Sequence, residues 1–205
     1  MAFLVLVSLA ASYLIGSLPS GIIVGRLWKG VDIRQQGSGR MGATNVLRVL
    51  GWKAAALVLI LDVAKGGFAM LLAQALGGVP AQVAAGIGVL AGHNWPIYVG
   101  FRGGRGITPG IGASFAIVPP AAIAGIILAV LAIAIWRYVS LGSIVGTFVC
   151  CGTIIALALM GHYPWPYGPL ALAGGGIILF QHRDNIVRLI RGTERRLGER
   201  AETAG

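Results

Sequence analysis

The chain has 205 residues, 57% of them hydrophobic and only 11% charged, and its mean hydropathy is +0.84. That is room for one domain, and a composition this apolar excludes an ordinary soluble globular protein in favour of an integral membrane one. The net charge of +10 would elsewhere point to nucleic acid, but the basic residues lie at the ends of apolar runs, where lipid headgroups and topology account for them, so nucleic acid is set aside as a partner.

All but one of the 16 Lys and Arg residues fall in four stretches: Arg26 to Lys53, Arg102 with Arg105, Arg137, and Arg183 to Arg200. Basic residues beside membrane segments stay cytoplasmic, so each stretch marks the inside. A span takes roughly twenty apolar residues. Ala2 to Val24 is the first; its charges follow it, which favours an uncleaved helix with its N-terminus outside over a signal peptide. Arg26 to Lys53 is a long polar, glycine-rich cytoplasmic loop. Ala54 to Leu76 runs out, Gly77, Gly78 and Pro80 turn it, and Ala81 to Val99 returns.

Gly100 to Gly106 is the next inside link. Ile107 to Val118 and Ala121 to Trp136 form a bent or tilted pair around Pro119 and Pro120. Leu141 to Met160 goes out, and the aromatic segment from His162 to Pro169 turns at the outer interface. Leu170 to Phe180 is the last and shortest run. The expected fold class is therefore all-α, a polytopic membrane protein of seven transmembrane helices, N-terminus outside and C-terminus cytoplasmic. It forms a single domain, residues 1–205, with 193–205 as a polar cytoplasmic tail.

The polar chemistry collects on the inside face. In the first loop, Gly37, Gly39 and Gly42 let backbone approach a ligand, Ser38, Thr44 and Asn45 offer hydrogen bonds, and Arg40 and Arg48 bring fixed charge. Such a loop makes a phosphate cradle, although the Gly-x4-Gly-Lys spacing of a P-loop is missing. Gly103, Gly104 and Arg105 precede a helix start, a second anion site. Ser140 and Ser143 follow Arg137, and His182 and Asn185 share a helical face at the last exit.

Four anion-friendly elements on one membrane face point to a phosphorylated ligand. Asp62 and Lys65, three apart inside the second span, fit either an intrahelical ion pair or part of a site. The adjacent Cys150 and Cys151 are packing residues, and the three histidines lie in no zinc-ligand spacing. Neither a Gly-x-Ser-x-Gly elbow nor a His-x4-Asp acyltransferase motif is present. A transporter for a phosphorylated anion is the main rival reading, and it would need charge along a path through the membrane.

Several ordered motifs carry a resemblance. Gly16-Ser17-Leu18-Pro19, Asp32-Ile33-Arg34, Gly37 to Arg48, Leu61 to Gly66, Gly92 to Pro96, Phe101 to Gly106, Arg137 to Leu141, His182 to Ile186, Arg188-Leu189 and Gly192-Thr193-Glu194 together resemble the bacterial acyl-phosphate:glycerol-3-phosphate acyltransferases. The resemblance implies a seven-helix inner-membrane enzyme with its active site on the cytoplasmic side. That enzyme moves an acyl group from long-chain acyl phosphate to the 1-hydroxyl of sn-glycerol 3-phosphate, giving lysophosphatidic acid and phosphate, the first step of phospholipid synthesis. It implies no cofactor and no metal, and an upstream acyl-carrier-protein:phosphate acyltransferase as the source of donor.

Arg105, His182 and Asn185 would be catalytic. Ser38, Gly39, Arg40, Thr44, Asn45, Arg48, Gly103, Gly104, Ser140 and Ser143 would bind substrate. His182 would serve as hydrogen-bond donor or proton shuttle. Where the family usually has Asn, Lys and Glu, this chain carries Arg40, Arg105 and Asp184.

Overall fold

The computed structural model describes residues 1–199; the end of the expected tail, 200–205, lies outside the described residues. Among the described residues every regular element is helical. The first apolar run is α1 (Ala2–Gly16) and α2 (Ser20–Lys29), broken where Pro19 removes a backbone donor. α2 stops at Gly30, in the left-handed conformation at φ 68, the usual C-terminal stop.

The segment from Arg26 to Lys53 is not simply a loop. It contains α3 (Ala43–Leu50), whose apolar side buries Val46 and Leu50 in a cluster with Ile22, Val24, Ile33, Met41 and Val58. The sequence shows this only as Val46, Leu47, Val49 and Leu50 between polar residues, too short to read as a helix by itself. Packing against α2 and α4 (Trp52–Asn94) supplies the rest.

α4 is bent back on itself. Gly77 (φ −157, ψ 18) and Gly78 (φ 63, ψ −148) leave helical geometry just before Pro80, where the sequence placed a turn. Gln82 Nε2 on the second arm donates to the Met70 carbonyl on the first (3.3 Å). α5 (Ile107–Ile117), α6 (Pro119–Trp136), α7 (Val139–Leu159), α8 (Tyr167–Gln181) and the short amphipathic α9 (Arg183–Ile190) complete the bundle.

With lipid outside, helices are held by close fit rather than by exclusion of water, and glycine makes the closest fits. A Cβ on Gly66 would collide with the Pro109 carbonyl, and one on Gly112 with Val63, so α4 and α5 meet backbone to backbone. Among the described residues, four stretches are long and apolar enough to cross a bilayer: Ala2–Lys29, Trp52–Val99, Pro119–Trp136 and Val139–Leu159. α5 and α8 are apolar but shorter; at 11 residues α5 reaches only about 16 Å.

Candidate active site

One cavity of about 1030 Å³ opens among α4 to α8 beneath the basic loops. Its basic end is lined by Ser38, Arg40, Thr44, Asn45, Arg48, Gly104, Arg105, Ser140, Ser143, His182 and Asn185. The four anion-friendly segments, scattered along the sequence, thus converge. Gly39 and Gly103 do not line it. Gly39 turns the first loop at φ 69, and Gly103 packs its backbone against His93 while its N–H donates to the Asn94 carbonyl (3.2 Å). Both shape loops whose neighbours do the facing.

Asn45 departs from its expected role as a ligand contact. It is 2% exposed, and its amide is fully used. Oδ1 accepts from the Ser38 N–H (2.8 Å), and Nδ2 donates to the carbonyls of Ile33, Gln36 and Arg40 at 3.1, 3.0 and 2.8 Å. It is the hub that holds the glycine loop in shape. Thr44 and Ala43 open α3, and their first-turn N–H groups lack helical partners, so the helix start offers donors and partial positive charge to the cavity. Arg34 joins the two loops, pairing with Asp32 (2.8 Å) and donating to the Val99 carbonyl (3.0 Å).

The arginines are held without counter-ions. Among the described residues neither Arg48 nor Arg105 lies within ion-pair distance of a carboxylate. Arg105 Nε is buried with no hydrogen-bond partner. Burial, then the charges of Arg40 and Arg188, pull the Arg105 pKa down to about 10; burial and then Arg195 lower that of Arg48. Both remain cations at neutral pH, but in a site that would gain from an incoming anion.

Glu194 ends the Gly192-Thr193-Glu194 motif, with no role legible in the sequence. Its Oε1 accepts from Ser140 Oγ (2.8 Å) and Asn185 Nδ2 (2.7 Å), and its Oε2 from Arg188 Nε (2.7 Å). Burial alone would raise its pKa, yet these three donors bring it below the ordinary value. Glu194 therefore sets the rotamers of Ser140 and Asn185. The Asn185 amide donor is spent here, leaving Oδ1 buried and unpartnered. Ser143 Oγ donates to the Val139 carbonyl (3.0 Å). The signal was available: a single acid set among Arg188, Arg191, Arg195 and Arg196.

His182 is 2% exposed, and its Nδ1 lies 2.9 Å from the Ile178 carbonyl. A carbonyl only accepts, so Nδ1 carries the proton and Nε2 presents a lone pair. Burial lowers its pKa most; the Ile178 bond raises it and Arg105 lowers it again, leaving it at about 4. The ring is neutral at physiological pH and presents an acceptor at Nε2; of the two expected roles, donor or proton shuttle, this tautomer leaves the donor at Nδ1 spent on Ile178. An unfolded histidine titrates near 6.5. Below that value the unfolded chain binds a proton the folded one refuses, so stability falls as pH drops from 6.5 toward 4. His182→Gln is expected to lessen the fall in Tm between pH ~7 and ~5; a slope identical to that of the unaltered protein in thermal unfolding would refute a neutral His182.

Away from the basic end the cavity is apolar, lined by Leu90, Ile111, Ala129, Ile154, Leu170 and Ile178 among others. Asp62 and Lys65 lie outside it and form the ion pair, 2.8 Å apart and almost fully buried. Ser20 Oγ donates to Asp62 (2.9 Å), Thr108 Oγ1 does so at 3.4 Å, and Lys65 Nζ donates to the Leu18 carbonyl (3.0 Å). The intrahelical ion pair, one of the two readings left open by the sequence, is present.

Comparison with known proteins identifies the family. The family model described as glycerol-3-phosphate acyltransferase matches residues 6–192. A glycerol-3-phosphate acyltransferase 2 of Moorella thermoacetica is 42% identical over 196 residues, 96% of this chain and 99% of that protein. A glycerol-3-phosphate acyltransferase of Halalkalibacterium halodurans is 43% identical over 195 residues, 94% of this chain and 95% of that one. The fold superposes on the crystal structure of PlsY (YgiH), an integral membrane glycerol 3-phosphate acyltransferase, in its glycerol 3-phosphate form, with TM-score 0.84, 37% identity and coverage of 95% and 96%. The lysophosphatidic acid form of the same protein gives 0.83 at 36% identity, covering 95% of each chain. With the motifs, the all-helical fold and the converging basic loops, the chain belongs to the glycerol-3-phosphate acyltransferase family.

Proposed function

We propose that this protein transfers the acyl group of a long-chain acyl phosphate to the 1-hydroxyl of sn-glycerol 3-phosphate, releasing lysophosphatidic acid and phosphate. The observation that carries this reading is the two-part cavity: an arginine-rich bowl continuous with an apolar chamber. Donor and product each pair a phosphate with an acyl chain, and such an amphiphile fits a cavity so divided. The crystal forms of the relative are named for glycerol 3-phosphate and lysophosphatidic acid, the acceptor and the product of this reaction.

The acceptor oxygen attacks the donor carbonyl carbon, and the carbonyl–phosphate oxygen bond breaks. An acyl phosphate is a mixed anhydride with a good leaving group, so the residues need chiefly to position and to stabilise charge. Arg48 with the α3 start holds one phosphate. Arg105 faces the charge that grows on the carbonyl and leaving oxygens. His182 Nε2 accepts from the acceptor hydroxyl and orients it, and a substrate phosphate oxygen takes the proton. Asn185 and Ser140, set by Glu194, complete the bowl with Ser38 and Ser143.

In our reading this bowl lies at the inside face of the bacterial inner membrane, with seven crossings and the N-terminus outside; what supports it is the tendency of basic residues beside membrane segments to stay cytoplasmic. An acyl-carrier-protein:phosphate acyltransferase would supply the donor. The transporter reading fits less well, because Met70, Ile154 and Tyr167 at the far end of the cavity are buried and leave no path through.

Purified protein given palmitoyl phosphate and glycerol 3-phosphate is expected to release phosphate only when both are present. Arg48→Ala is expected to lower kcat/KM about a hundredfold or more, chiefly through KM for the acceptor. Release of free coenzyme A from acyl-CoA in the presence of glycerol 3-phosphate, with palmitoyl phosphate inert, would sink the donor assignment.

A further inference from the structure

We infer that the closed far end of the cavity, built by Met70, Ile154 and Tyr167, sets the upper limit on the length of the acyl chain. The inference rests on the acyl group occupying the apolar chamber.

Two helices serve as independent rulers. Along α8 the lining runs from His182, which caps the helix, down to Tyr167, and on α7 from Ser140 down to Ile154. At 1.5 Å per residue these are depths of about 22 and about 21 Å. An extended chain advances roughly 1.2 Å per bond, a third of the span of one extended residue. The chamber therefore seats roughly sixteen to eighteen carbons below the reacting carbonyl, deeper than one bilayer leaflet of about 15 Å.

The end is sealed and stiff. Met70, Ile154 and Tyr167 are 0%, 4% and 5% exposed, so the chain meets protein there and not lipid. Tyr167 Oη donates to Gln82 Oε1 (2.5 Å), and Gln82 Nε2 donates to the Met70 carbonyl (3.3 Å). This polar staple ties the start of α8 to both arms of α4. Moving the floor outward would leave buried polar groups unpaired, so a longer chain cannot push it away cheaply. The side wall is different: Phe115 and Val130 line the cavity and are 40% and 58% exposed, which gives an amphiphile lateral access to and from the bilayer.

The test measures binding of lysophosphatidic acids from dodecanoyl to docosanoyl, and turnover of the matching acyl phosphates. The unaltered protein is expected to lose at least tenfold in affinity per two carbons past a ceiling near eighteen. Ala171 lies one turn above Tyr167 and lines the chamber, so Ala171→Leu is expected to lower the ceiling by about four carbons while sparing the shortest ligands. Met70→Ala is expected to raise it.

A smooth, ceiling-free series in the unaltered protein would overturn the inference without any variant. So would unchanged series in both variants with short-chain binding intact, which would mean that chains leave between Phe115 and Val130. Silence of every acyl phosphate together with a ceiling in lysophosphatidic acid binding would remove the donor assignment and leave the ruler standing.

Discussion

Arg105→Ala is expected to reduce kcat/KM by about a hundred- to a thousandfold, the loss seen when one preorganised donor is taken from a developing oxyanion. The guanidinium lines the cavity, its Nε is buried without a partner, and no carboxylate among the described residues pairs with it. An uncompensated cation at such a site costs stability in the free protein. The same variant is therefore expected to unfold at a higher temperature than the unaltered protein while turning over far more slowly.

Arg105→Lys separates charge from shape. Lysine keeps the positive charge as a point and loses the planar fork. Lysine is expected to restore most of the rate lost with alanine. A lysine variant as slow as the alanine one would mean that the fork, not the charge, carries the effect. An alanine variant with unaltered kcat/KM would remove Arg105 from the reacting centre.

The sequence made the site's location legible because charge in a membrane protein is sparse and sorted. Lipid admits almost no free ions, so nearly every Arg and Lys marks an end of a helix, and the glycines beside them mark where backbone must turn or come close. The turn at Gly77 to Pro80 was legible for the same reason. What was not legible depends on side-chain direction. Asn45 carries the donors and acceptor expected of a phosphate ligand, yet four inward bonds consume them. His182 reads in sequence as a donor or proton shuttle, and only the Ile178 carbonyl shows which ring nitrogen carries the proton. Glu194, repelled by nothing and attracted by Arg188, Ser140 and Asn185, looked like one more tail residue. α3 was missed because a short helix is stabilised by what it packs on, which periodicity in eight residues cannot show.

Lys65→Met is expected to be the most damaging substitution for folding outside the cavity. It removes the partner at 2.8 Å from Asp62, a carboxylate 1% exposed. Stranding one ion of a buried pair costs about 3–5 kcal/mol, a large share of the ~5–15 kcal/mol that holds a typical domain together. Ser20 and Thr108 would still donate to Asp62, but neither brings charge.

The same loss frees the Leu18 carbonyl, which lies in the break between α1 and α2 where Pro19 interrupts the helical ladder. Lys65 thus ties the kink of the first rod to α4, and Asp62 ties α4 to the start of α5 through Thr108. Thermal unfolding in detergent should show the single variant well below the double variant Asp62→Leu with Lys65→Met, because removing both charges leaves no ion to strand. The folded fraction of the single variant should keep its KM for glycerol 3-phosphate, since neither residue lines the cavity. Were the double variant as unstable as the single one, the network's worth would lie in its hydrogen bonds to Leu18 and Ser20 rather than in its charge. Were KM to rise in the folded single variant, the ion pair would reach the site through Thr108, which lines the cavity and donates to Asp62.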